Sequence, residues 1–129
     1  MVELRTLSEH ESKQVLATRG ALFAGEAIVP DAQQAVAAAQ RFGFPVVVKL
    51  VGERLAHKSE RGLVRVGLGD ASAVQQAAQD LLALRRADGG EVGLLVAQHV
   101  GGSRELLVGM VRDPLFGVVI VVGIGGVSA

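Results

Sequence analysis

The chain has no cysteine, tryptophan or tyrosine, and only three prolines among its 129 residues. Without cysteine there is no disulfide framework and no thiolate metal site. Aromatic residues make up 3%, all of them phenylalanine, so stacking platforms for bases or sugars are scarce. Neither sign of charge prevails: 13 basic and 13 acidic residues cancel, and no basic run occurs. That balance argues against a nucleic-acid partner. Long apolar runs are missing as well. The nearest approach, in the last strand region, is broken by glycines, so no membrane span and no membrane partner are expected. The start, Met1-Val2-Glu3-Leu4-Arg5, lacks the apolar core of a signal peptide. What is present is a 50% apolar composition. It excludes disorder, which needs low hydrophobicity and high net charge. A chain of this length can bury roughly two-thirds of its unfolded surface. The expectation is one globular, cytoplasmic domain with a real core.

Local signals divide the chain into elements. Ser8-Glu9-His10-Glu11 is a capping box, with Leu7 in the place of a hydrophobic staple. The helix it opens should run to about Arg19 and stop at Gly20. Residues 21–29 read as a short strand or extended connection. A second helix opens at Asp31, with Ala32, Ala35, Val36, Ala39 and Phe42 at helical spacing, and Gly43 ends it. Residues 45–51 form a strand of buried type. A charged loop bounded by Gly52 and Gly62 follows, then a strand over 63–68 with Val64, Val66 and Leu68 on one face. Ser72-Ala73-Val74-Gln75 opens a third helix with the stripe Val74, Ala77, Ala78, Leu81 and Leu82. Asp88-Gly89-Gly90 is a turn. Strands are expected over 92–100, 105–112 and 117–123, separated by Gly101-Gly102-Ser103 and Asp113-Pro114. Helices alternate with strands at first and strands then follow one another, the pattern of an α/β or α+β domain covered mainly on one side. A strongly apolar strand so near the last residue suggests a fragment of a longer protein.

Lys49 carries the most chemical information. It interrupts an apolar strand, where an unpaired ammonium would be costly. It is either an edge-strand lysine whose head reaches water, or a cation aimed at a bound anion. The 52–62 loop brings His57, Lys58, Ser59 and two arginines. Hydroxyl, cations and backbone amides together suit phosphate oxygens, although a solvated surface loop has the same composition. The P-loop pattern is absent. His10, His57 and His99 have no metal-ligand spacing, no metal site is assigned within the chain, and His99 is expected to pack at a strand end. No nucleophile elbow occurs. Gly123-Ile124-Gly125-Gly126 follows a strand but opens no helix, so by itself it is a weak nucleotide signal.

Taken in order, these segments resemble a known family. Leu7-Ser8-Glu9-His10-Glu11, the run from Phe42 to Leu50, His57-Lys58-Ser59-Glu60, Gly62-Leu63-Val64 and Leu95-Val96-Ala97-Gln98 come first. Glu105-Leu106-Leu107-Val108-Gly109, the run from Arg112 to Gly117, and Gly123 to Gly126 complete the set. Order and spacing are similar to the N-terminal part of the ATP-grasp domain of ADP-forming acyl-CoA synthetases, relatives of the succinyl-CoA synthetase β subunit. The resemblance spans nearly the whole chain. It implies an α+β fold, with a mixed sheet and covering helices, in which two subdomains clasp ATP. Residues 1–129 would then be a partial ATP-grasp nucleotide-binding domain. The resemblance puts Lys49, Lys58 and Ser59 on the phosphates, and His57 beside the γ-phosphate as a contact or transient acceptor. Gln98, His99 and Val100 would meet the adenine edge, and Glu105 the ribose hydroxyls. It further implies ATP with Mg²⁺, the metal ligands lying outside this chain, so that the 129 residues alone would be inactive. Expected partners are the CoA-binding and phosphohistidine domains of the same protein or complex, with a second copy of the chain as a further candidate. The sequence departs from the family pattern at Glu60, Leu63, His99 and Val118. An alternative implied by the same likeness is a non-catalytic nucleotide-binding module of an acetyltransferase-fused protein.

Overall fold

The computed structural model describes residues 5–52, 55, 60–84, 90–102 and 104–126. They form two compact units, residues 1–99 and 100–129. The first holds α1 (Glu9–Ala17), β1 (Glu26–Val29), α2 (Ala32–Phe42), β2 (Val46–Gly52), a short 3₁₀ turn (Glu60–Leu63), β3 (Val64–Leu68), α3 (Ala71–Ala83) and β4 (Val92–Gln98). The second holds β5 (Leu106–Asp113) and β6 (Gly117–Ile124).

The helices begin and end where short-range chemistry satisfies their orphan backbone groups. Ser8 Oγ accepts from the Glu11 amide at 3.2 Å while the Glu11 carboxylate accepts from the Ser8 amide at 2.8 Å, the capping box expected. The staple does not form, because the position that would complete it is Ser12, whose hydroxyl donates to Ser8 O. Gly20 closes α1: the Ala21 amide donates to Leu16 O and the Gly20 amide to Ala17 O, a Schellman arrangement. Asp31 caps α2 at 2.8 Å and Gly43 ends it. The cap of α3 is Asp70, not Ser72; Asp70 Oδ1 accepts from the Ala73 amide at 2.8 Å. A carboxylate two residues upstream takes the cap and draws Ser72 into the first turn.

The four-stranded sheet runs in the order β1-β4-β2-β3, and each described pairing is antiparallel. The α+β class is observed, and the expected mixed sheet gives way to a split β–α–β unit. β1 and β2 flank α2 and are parallel to each other, but β4 lies between them and opposes both. One face packs on α2 and α3. Its core is Ala35, Ala38 and Ala39 of α2, Val74, Ala78 and Leu81 of α3, and Val46, Val48, Leu50, Leu94 and Val96 of the strands. β2 is therefore fully buried only at alternate residues, unlike the continuously buried strand the sequence suggested.

β3 also departs from simple alternation. Leu68 pairs with Val46 but Arg65 pairs with Val48, so β3 uses one extra residue. The bulge includes Gly67 at φ +66, a left-handed conformation that costs a side chain energy but glycine almost nothing. The frame shift separates Val64 from Leu68, which the sequence had placed on one face. Leu68 reaches the core, Val66 is exposed and Val64 pairs with Lys49 on the other side.

In the second unit β5 and β6 pair in register from Leu106↔Ile124 to Asp113↔Gly117. Asp113 Oδ1 accepts from the Leu115 and Phe116 amides at 2.8 and 2.9 Å, closing the turn. These two bonds hold its carboxyl below the usual value.

Candidate functional site

Lys49 stands on an internal strand, between β4 and β3, which removes the edge-strand reading. Its cross-strand partners are Leu95 and Val64, and Leu95 pairs in turn with Ile28. Directly opposed residues share a face. Ile28, Leu95, Lys49 and Val64 thus form one row across the sheet, on the side away from α2 and α3. The next row is Glu26, Ala97 and Val47. Lys49 is half-buried and the one cation of its row. An aliphatic stem can lie along such a row while its ammonium leaves it.

The end of β4 lies at the top of the same sheet. The Gln98 amide donates to Gly25 O at 2.9 Å and the His99 amide to Pro45 O at 3.1 Å. Both amides are thereby held in line with the sheet, and the boundary between the two units falls between His99 and Val100. The His99 side chain is exposed rather than packed. In the second unit, Glu105 accepts from the Gly125 amide at 3.0 Å through its backbone carbonyl. Its carboxylate lies against Gly126. His57, Lys58 and Ser59 fall outside the described residues. The structure therefore locates Lys49 and the Gln98–His99 strand end in the first unit, and Val100 and Glu105 in the second.

Sequence reasoning missed one polar cluster on the face opposite α2 and α3. Glu26, only 10% exposed, meets His10 Nδ1 at 2.7 Å and Lys13 Nζ at 2.9 Å, so α1 is tied to β1. Gln14 Nε2 lies 3.0 Å from His10 Nε2, and Glu9 meets Lys13 at 2.9 Å. Burial raises the Glu26 pKa, but the bonds from Lys13 and His10 outweigh it and the net shift is downward. Burial likewise lowers Lys13, and its bonds to Glu26 and Glu9 reverse that to a net rise. His10 and Lys13 lie one turn apart on α1, which could have marked a shared partner; nothing local pointed to Glu26. At the start of the same helix the Arg5 bond, then those from Ser8, pull the exposed Glu11 carboxyl down to about 2.

Among the described residues no group of three His, Asp or Glu side chains could hold a metal ion. No helix among them is long and apolar enough to cross a membrane.

The first unit is thus an α+β sheet packed on α2 and α3, with Lys49 on an inner strand, and the second is a β-hairpin with Glu105 at its open end. The ATP-grasp domain family matches residues 3–129, and the chain belongs to that family. Its relatives include the β subunit of ADP-forming acetate–CoA ligase I of Pyrococcus furiosus, 30% identical over 128 residues, 97% of this chain and 55% of that one. The ADP-forming 4-hydroxybutyrate–CoA ligase of Nitrosopumilus maritimus is 33% identical over 124 residues, 94% of this chain and 18% of the ligase. Among solved structures, dinucleotide forming acetyl-coenzyme A synthetase 1 of Ca. Korarchaeum cryptofilum aligns with a TM-score of 0.75 and 31% identity. The match covers 94% of this chain and 51% of that one. That structure holds coenzyme A and Mg-AMPPCP, with a phosphohistidine segment pointing towards the nucleotide binding site. The chain thus spans about half of two of these relatives and less than a fifth of the third.

Proposed function

We propose that this chain is the nucleotide-binding portion of an ADP-forming acyl-CoA synthetase and forms part of a longer protein or complex. The reaction is acid + CoA + ATP to acyl-CoA + ADP + phosphate, reversible, with the phosphoryl group carried by a phosphohistidine of another domain. The observation that carries this reading is the position of Lys49 on an inner strand, in an otherwise apolar row on the sheet face opposite α2 and α3. A charge-assisted bond from its ammonium to a phosphate oxygen is about twice as strong as a neutral one. Family membership and the nucleotide-bound relative support phosphate as that anion.

In this reading Lys49 orients the phosphates and offsets their charge. Lys58 and Ser59 add a cation and a hydroxyl, and His57 contacts the γ-phosphate or accepts it transiently. The adenine edge meets the backbone around Gln98, His99 and Val100. With the Gln98 and His99 amides committed to Gly25 and Pro45, the carbonyls of this strand end and the Val100 amide are the groups assigned to the base. Glu105 accepts from the ribose hydroxyls. Mg²⁺ would offset phosphate charge, with its ligands supplied from outside this chain. The isolated 129 residues are accordingly expected to be inactive. The acyl substrate and the CoA and phosphohistidine partners belong to other domains in this reading, and a cytoplasmic location goes with it.

The test is Lys49→Ala in the full-length synthetase. Removing one preorganised charge at a reacting phosphoryl group should lower ATP-dependent thioester formation by about 100-fold or more. Thioester formation at the wild-type rate would remove Lys49 from the site.

A further inference from the structure

We infer that Gly126 is a positioning residue, which fixes the place of the Glu105 carboxylate and through it the selectivity of the site for a ribose over a deoxyribose nucleotide. The inference rests on the reading of Glu105 as the ribose-binding carboxylate. It begins where the β5–β6 ladder ends. Beyond the Leu106↔Ile124 pair the Gly125 amide still donates to Glu105 O at 3.0 Å, so the two backbones stay side by side for one more step. Gly126 then turns at φ +82. A Cβ on Gly126 would lie 3.0 Å from Glu105 Oε2 and 3.5 Å from its Cδ. A Cβ there would crowd the end of the Glu105 side chain, which would have to give by a few tenths of an ångström. The neighbouring glycine is different. A Cβ on Gly125 would meet Glu105 only at its Cβ, at 3.4 Å, and at backbone atoms beyond, all ordinary contacts far from the charged end.

Glutamate has three rotatable side-chain bonds, and a carboxylate that must accept from two vicinal hydroxyls tolerates little displacement. Misplacement of a binding group by about 1 Å can cost about 100-fold. The bare Gly126 backbone lets the carboxylate lie flat along the chain. A methyl group there would push Oε2 aside without removing the charge.

The measurement is the Kd of ATP and of 2′-deoxy-ATP for the full-length protein by calorimetry. Their ratio isolates the ribose contact from general effects on folding, which weaken both nucleotides alike. Wild type should prefer ATP by about 10-fold or more, the worth of one hydrogen bond to a charged group. Glu105→Ala should abolish the preference. Gly126→Ala should lower the ratio by about threefold or more, and in the Glu105→Ala background it should leave the ratio where Glu105→Ala put it. Gly125→Ala should keep the wild-type ratio. If Gly126→Ala does not fold, Gly126→Asn carries the same Cβ on a residue that enters the left-handed region more readily. A wild-type ratio in the folded Gly126 variant, with the preference lost in Glu105→Ala, overturns the inference and leaves the ribose reading standing. A preference that survives Glu105→Ala overturns the ribose reading, and the inference with it.

Discussion

Glu26 keeps its charge in a site that is only 10% exposed because α1 brings two donors to it, Lys13 and His10. The pair has a definite pH signature. Glu26 titrates below its ordinary 4.5 in the folded protein, so its contribution is full above about that pH and is lost as the pH falls through the lowered value. Lys13 titrates above its ordinary 10.5, so its contribution is full below that pH and is lost as the pH rises through the raised value. α1 should therefore stay docked on β1 across the neutral range and loosen at both extremes. Glu26→Ala should destabilise the chain by about 1.5–3 kcal/mol at pH 7, the worth of hydrogen bonds to a charged group. The deficit should shrink as the pH is lowered and the wild-type carboxyl is itself protonated. Thermal melts of both proteins between pH 3 and 7 measure this; a deficit that does not change with pH would deny the clamp its charge. At this scale Lys49 was legible in the sequence, because a cation inside a run of valines is locally anomalous. Glu26 was not: its partners lie 13 and 16 residues away, and only the docking of α1 joins them. For His57, Lys58 and Ser59 sequence remains the whole argument.

Helix boundaries were the most legible features, since caps act over three or four residues. Ser8, Gly20, Asp31 and Gly43 all function as their spacing suggests. The one misplaced cap shows what decides such cases. Asp70 and Ser72 both precede the stripe of α3, and only the register of Val74, Ala77, Ala78 and Leu81 against the sheet selects between them. Starting at Ala71 places an extra half-turn in the helix and hands its free amide at Ala73 to a carboxylate, which also suits the positive end of the helix dipole. Asp70→Ala should thus cost about 1 kcal/mol, whereas Ser72→Ala should stay within about 0.5 kcal/mol. Urea denaturation of the two variants decides it, and the reverse ranking would restore Ser72 as the cap. Strand frames were less legible than helix ends. The extra residue of β3 shifts every side chain beyond it to the other face, and its cause, the pairing of Val46 with Leu68 and of Val48 with Arg65, 22 and 17 residues distant in sequence, is not local.

The two units differ in how much apolar surface they put away. The first buries Val46, Val48, Leu50, Leu94 and Val96 against two helices. The hairpin of the second buries none of its large side chains. One face carries Leu106, Val108, Met110, Val118, Ile120, Val122 and Ile124, each between 52% and 73% exposed. Composition could not distinguish these strands from core strands, because burial depends on what lies over a face and not on the face itself. That is why the six expected strands read as of comparable weight. It is also why the insertion of β4 between β1 and β2 was not legible: strand order is fixed by which pairing buries most side chains, a property of the whole sheet. A two-stranded hairpin is marginally stable unless a third strand or a helix supports it. Exposure of the β5–β6 face therefore predicts a split in backbone protection within the 129-residue chain. Amides of β2 and β4 should exchange with the global opening, while those of β5 and β6 should exchange by local opening at least about 100-fold faster. Hydrogen exchange followed by mass spectrometry separates the two, since residues 46–52 and 106–124 fall in different peptides. Equal protection would mean that the hairpin opens only with the sheet, and that its apolar face is covered in solution.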